Sequence, residues 1–211
     1  MLNIKRFLIL LCIMIAPTVF ADTAPYYVDS VPKSAIGVFQ TGDQLTIYKE
    51  PDIDSEIVKI FNFSYNPQTM PDNVFALLIN ERKLGMLYVS DIGDEDWVEV
   101  IYDKKQGLKG WVQTEDKFQF LPWISFYNLY ARKYGIRLFK DAPDEVNILH
   151  ARPEDLSQNI GKINYVKKIK LTAVRGNWAL VSVYDLDKIP KTGYIKWRNT
   201  DGTIFAFPDI K

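Results

Sequence analysis

The sequence predicts a mainly β protein: two small β-barrels in tandem, joined by a short aromatic-rich helix. Three observations carry the prediction. Short runs that alternate apolar and polar residues, rich in Val, Ile and Tyr, recur along the chain, the signature of half-buried antiparallel strands. A tryptophan-headed hairpin occurs twice, with Trp97 and Trp178 lying 81 residues apart. Between the two copies, LPWISFYNLYARKYG (121–135) combines helix start and stop signals with five aromatic residues.

The first element is a leader. Lys5 and Arg6 precede an apolar run from Phe7 to Ala16, and Val19-Phe20-Ala21 supplies a compact end. That is the layout of a secretory signal peptide, 1–21, cut after Ala21. The run falls short of the roughly 20 apolar residues that span a bilayer, so the expected product is periplasmic or secreted, with no stable membrane anchor. Cys12 follows Leu11, where lipid attachment would want a small residue. Cleavage leaves 24 Lys and Arg against 26 Asp and Glu, a net charge of −2. Nucleic acid is therefore not an expected partner, since phosphate binding needs a basic surface. Cys12 is the sole cysteine, so a packed core rather than a disulfide must hold the mature chain together.

The first copy opens with LTIYKEPDIDSEIVKIF (45–61), read as a strand, a Pro/Asp loop and a second strand. FALLI (75–79) and GMLYVSDI (85–92) add two more. In DWVEVIYDKKQGLKGWV (96–112), Val98, Val100 and Tyr102 fall on one face of a strand and Trp97, Glu99 and Ile101 on the other. Val98 and Val100 are the candidate core residues. A polar turn leads to Gly110-Trp111-Val112, where the glycine is expected to let the backbone bend into the last long strand.

The helix follows. Pro122 suits a first helical position and Gly135 a stop just past the end, giving about three turns. Ser125, Asn128 and Arg132 gather in one arc, while apolar and aromatic residues cover roughly 220°, against about 100° for an ordinary surface helix. So wide an arc predicts a helix wedged between the two barrels, with Trp123, Tyr127 and Tyr130 at the inter-domain contacts.

The second copy repeats the pattern. NWALVSVYDLDKIPKTGYI (177–195) places Ala179, Val181 and Val183 on one face, with Gly193-Tyr194-Ile195 matching Gly110-Trp111-Val112. The tryptophan-to-glycine gap is 13 residues in the first copy and 15 in the second, a difference that a longer hairpin loop absorbs. KKIKLTAV (167–174) supplies the preceding strand. IRLFKDAPDEV (136–146), followed by IGKI (160–163), is the expected counterpart of 45–61.

Both copies resemble the bacterial Src-homology-3 domain, a small SH3-like barrel common in secreted and cell-wall proteins. The IYKEP and LFKDAP openings, the Trp97 and Trp178 hairpins and the two Gly-aromatic-aliphatic strand starts carry the resemblance. It places a first barrel at 36–118, a linker helix at 119–135 and a second barrel at 136–211. The pattern is departed from by an insertion near 62–74 and by DEVNILHARPEDLSQNI (144–160), in place of a tight loop. The resemblance implies an exported binding module that recognises a cell-wall (peptidoglycan) peptide or an envelope protein, with Trp97, Trp111, Trp178 and Tyr194 lining a groove. An envelope assembly or accessory protein that holds a partner without touching peptidoglycan is the alternative. Large aromatics at such rims also serve packing alone.

Catalysis is not expected. His150 is the sole histidine, in the loop-like ILHARP; it cannot build a zinc site without several other ligands, and no cysteine remains for it to activate. No Gly-x-Ser-x-Gly stretch occurs. Asp91, Asp94, Glu95 and Asp96 lack the spacing and distal glutamate of a calcium loop and read as a solvated turn. No cofactor or metal is expected.

Overall fold

The computed structural model describes residues 30–63, 73–79, 82–94, 96–115, 119–163, 168–184 and 189–210. The expected leader, 1–21, and most of the insertion near 62–74 lie outside the described residues. The fold is mainly β, in two antiparallel sheets.

The first sheet contains β1 (Gly37–Thr41), β2 (Gln44–Tyr48), β3 (Ile57–Asn62), β4 (Leu77–Ile79), β5 (Leu84–Ile92), β6 (Trp97–Asp103), β7 (Leu108–Gln113) and β8 (Phe120–Pro122). Its order is β3-β2-β7-β6-β5-β1-β8, with β4 paired to β5. The second contains β9 (Ile136–Leu138), β10 (Ile148–His150), β11 (Asn159–Lys162), β12 (Lys168–Arg175), β13 (Trp178–Tyr184), β14 (Lys191–Lys196) and β15 (Ala206–Pro208), in the order β11-β10-β14-β13-β12-β9-β15. Strand for strand the two orders coincide. The registers coincide too: Val89 lies opposite Val100 as Leu171 lies opposite Val181, and each of those pairings slips by one residue just beyond, between Val89 and Asp91 and between Leu171 and Ala173. The expected closed barrels are not seen. Among the described residues both sheets are open, ending at β3 and β8 and at β11 and β15.

The repeat is real but its expected alignment was one strand out. β9, the IRL of IRLFKDAP, corresponds to β1; the partner of β2 is β10. Tyr48 pairs with Trp111 and His150 pairs with Tyr194, so TIYKEPDIDSEIVKIF (46–61) matches ILHARPEDLSQNIGKI (148–163) without a gap. The stretch 144–160 is therefore no replacement for a tight loop. Its loop repeats two framing bonds of the first copy's loop. Ser55 Oγ accepts from the Glu50 N–H at 3.1 Å and Ser157 Oγ from the Arg152 N–H at 2.8 Å. Lys49 N–H donates to Glu56 O and Ala151 N–H to Gln158 O, both at 2.9 Å. An apolar-basic-acidic-Pro string is too degenerate to fix alignment; cross-strand pairing fixes it.

Alternation decides the core. Phe39, Leu87, Val89, Val98, Val100 and Val112 share one cluster confined to the first sheet. Val38, Met86, Tyr88 and Ile101 point the other way, into a second cluster with the helix and the second sheet's Val181 and Val183. Strands β1 and β5 are thus buried on both faces, which their near-continuous apolar runs reflect.

The helix comprises an α-helical turn Trp123–Phe126, a π-helical segment Tyr127–Ala131 and a final α turn Arg132–Tyr134. Residues 120–122, expected within the linker, are instead β8, paired to β1, and Pro122 caps the helix from outside. Gly135 ends it with φ +91°, where a Cβ would lie 2.6 Å from Ile169 O, so the left-handed stop is also a close approach. The wide apolar arc does not translate into burial. Trp123, Phe126, Tyr127, Tyr130 and Ala131 are buried while Ile124 and Leu129 are more than half exposed, the ordinary single stripe of a surface helix. That one stripe nevertheless touches both sheets. Trp123 Nε1 donates to Ala35 O at 2.8 Å, and Gln40 Nε2 on β1 donates to the Tyr130 hydroxyl at 2.8 Å. On the other side the Tyr127 hydroxyl donates to Ala206 O and its ring lies 4.3 Å from that of Trp197. Lys33 Nζ, ahead of β1, adds an ion pair at 2.8 Å to Asp201 in the second half, which holds that carboxyl well below the usual range.

Candidate functional site: two matched aromatic platforms

Directly opposed residues on antiparallel neighbours point to the same face. Tyr48 and Trp111 are therefore side by side on the outer face of the first sheet, as His150 and Tyr194 are on the second. All four are partly exposed. Each pair leans on a buried tryptophan: the Tyr48 ring meets Trp97 edge-on at 5.4 Å, and the His150 ring meets Trp178 edge-on at 5.1 Å. Such T-shaped contacts are favourable because the positive ring edge faces the negative ring face.

The four expected groove residues accordingly divide into two kinds. Trp111 and Tyr194 are partly exposed. Trp97 and Trp178 keep only 6% and 8% of their surface and stand beneath Tyr48 and His150. Tyr48 and His150 themselves escaped the sequence reading. Their signal was the shared position three residues before the Pro51 and Pro153 loops, visible once the two copies are aligned as β2 with β10. His150, expected in a loop, is on a strand, and its buried Nδ1 has no hydrogen-bond partner among the described residues.

The glycines before Trp111 and Tyr194 have a different task from the expected bend. Neither has a positive φ. A Cβ on Gly110 would come within 2.4 Å of Ile47 Cγ2 and 2.9 Å of Tyr48 O, and one on Gly193 within 3.0 Å of His150 O. The glycine lets β2 or β10 cross close over the final long strand, which brings Tyr48 beside Trp111 and His150 beside Tyr194.

The surroundings of the two platforms differ in charge. Glu99 pairs with Trp111 across β6 and β7, accepts from Ser90 Oγ at 2.6 Å and lies 3.1 Å from Lys109 Nζ. A depression of about 490 Å³ beside Trp97 is lined by Ile92, Gly93, Asp96, Glu115 and Phe120 among others; a second of about 380 Å³ is lined by Tyr48, Phe39, Asp43, Ile53 and the same Glu115. The Tyr48–Trp97 pair borders both. At the second platform the Leu180 position replaces Glu99, and Lys196 lies over the Trp178 ring at 5.8 Å while pairing with Asp155 at 2.8 Å.

Trp123, Tyr127 and Tyr130 are brought together on the helix, away from either platform. Among the described residues no group of three or more His, Cys, Asp or Glu is placed to hold a metal ion, and no helix is long and apolar enough to cross a membrane. Comparison with known protein families finds no family model that matches the chain, and no curated protein matches it.

Proposed function

We propose that the protein is an exported, non-catalytic binding module, built on two matched antiparallel sheets, that holds an extended cell-wall peptide or envelope protein along its two aromatic platforms. The observation that carries the reading is the recurrence, in the same register of both sheets, of a partly exposed ring pair supported by a buried tryptophan. Tyr48 with Trp111 and His150 with Tyr194 offer flat, rigid apolar area at little cost in side-chain entropy, the residue type that dominates interface energetics. Trp97 and Trp178 act from beneath, fixing the orientation of Tyr48 and His150.

Retention on purified sacculi tests the proposal. Trp111→Ala or Tyr194→Ala should weaken capture by about 2 kcal/mol, roughly 30-fold, more than it lowers the stability of the fold, because both residues are partly exposed. Loss of stability in step with loss of capture would reduce the rings to packing. Absence of sacculus binding by the unaltered protein would leave the envelope-protein partner as the reading to pursue.

A further inference from the structure

We propose that the outer face of β12 docks the acidic β2–β3 turn of a second copy of this chain, joining copies head to tail. Tyr88 lies opposite Ile101 as Lys170 lies opposite Ser182, so β5 and β12 are equivalent residue by residue. In the first sheet this face is covered: Met86, Tyr88 and Ile101 are buried against the helix. In the second sheet the same face carries Lys168 and Lys170, both exposed, with Thr172 and Arg175 exposed further along the strand. Lys170 Nζ lies 5.0 Å from the centroid of the partly exposed Tyr184 ring. A sheet face that is buried in one copy stands open in the other, with cations where the apolar residues were.

The chain itself carries the complement. Residues 36–118 hold 8 Lys and Arg against 15 Asp and Glu, a net −7, whereas residues 136–211 hold 13 against 9, a net +4. Within the acidic half, the β2–β3 turn is exposed from Glu50 to Asp54, with Glu50, Asp52 and Asp54 around Ile53, itself 58% exposed. At its base Lys49 is already neutralised by Glu56 at 3.1 Å. None of Glu50, Asp52 or Asp54 forms an ion pair among the described residues. The matching turn of the second half cannot serve equally, since Asp155 is taken by Lys196 and Arg152 offsets Glu154. Complementary charges on different surfaces of one molecule allow a head-to-tail contact between copies, which builds open chains or closed rings.

Sedimentation equilibrium of the purified protein tests this. At about 0.01 M salt, where charges act over roughly 30 Å, the weight-average mass should rise about twofold or more with concentration; at about 1 M salt, with a range of roughly 3 Å, it should stay at the monomer value. Lys168→Glu/Lys170→Glu should abolish the rise, as should Glu50→Lys/Asp54→Lys, which keeps Asp52 to accept the Asp54 N–H within the turn. Mixing the two double variants should restore association, because each then offers what the other has lost. A monomer at every concentration in low salt would overturn the proposal. So would association that persists in 1 M salt, or that survives either double variant, or a mixture that remains monomeric.

Discussion

Trp123→Ala tests how the two sheets are coupled. Trp123 is 2% exposed and lies in the cluster that contains the helix, the outer face of β1 and β5 and the inner face of the second sheet. Its ring is 6.3 Å from Tyr88 on one side and 6.4 Å from Phe207 on the other. Truncating a buried tryptophan costs about 3–5 kcal/mol in lost transfer energy and cavity. Losing the 2.8 Å bond to Ala35 O strands a carbonyl, a desolvation cost of about 1–3 kcal/mol where water cannot replace the donor. Against a total stability of roughly 5–15 kcal/mol, that is a large fraction. It does not fall evenly. The first sheet keeps a second cluster, Phe39 to Val112, which contains neither Trp123 nor any residue of the helix, whereas the second sheet's core belongs to the damaged cluster. Native-state hydrogen exchange should therefore show the amides of β13 losing about 3 kcal/mol or more of protection and those of β6 distinctly less. The unaltered protein should unfold in a single transition, which the substitution should split into two. Equal losses in β6 and β13, or a loss under about 1 kcal/mol in both, would refute the shared-core argument.

Two further outcomes follow from burial and charge. Val100→Asp should unfold the first sheet, because Val100 is fully buried and an unpaired carboxylate there costs several kcal/mol; Glu99→Ala, which loses only partly exposed contacts to Ser90 and Lys109, should cost about 1 kcal/mol or less, and similar denaturation midpoints for the two would overturn the facing of β6. Burial raises the Tyr127 hydroxyl well above its ordinary pKa, with the neighbouring Tyr88 adding to the effect, so the stability tied to its neutral form is complete below about pH 10 and is lost as pH rises further, where the unfolded chain ionises and the folded one does not. Urea midpoints at increasing alkaline pH should fall accordingly, and Tyr127→Phe should flatten that dependence; an unchanged slope would place the alkaline sensitivity elsewhere.

How much of this was legible beforehand varies by element, for identifiable reasons. The tryptophan hairpins were readable because a strand's side chains alternate with a period of two, so Val98 and Val100, or Val181 and Val183, declare one inward face without knowledge of partners. The contrast between GMLYVS in β5 and KIKLTA in β12 was also on the page. A continuous apolar run is a strand covered on both sides, and a Lys-Ile-Lys-Leu run is a strand covered on one. Gly135 marked the end of the helix because few other residues tolerate its backbone conformation. Other features were decided only by tertiary contacts. Which strand of the second half answers β2 depends on Tyr48 meeting Trp111 and His150 meeting Tyr194, pairings between residues 63 and 44 positions apart that local likeness cannot reveal. Ile124 and Leu129 are as apolar as their buried neighbours, and their exposure follows from where the two sheets lie against the helix. Trp97 and Trp178 looked the same in sequence as Trp111; strand crossing at Gly110 and Gly193 sets which ring faces solvent and which lies beneath. Local patterns fix what a residue can do with its immediate neighbours, and the packing of distant strands fixes which of those options is realised.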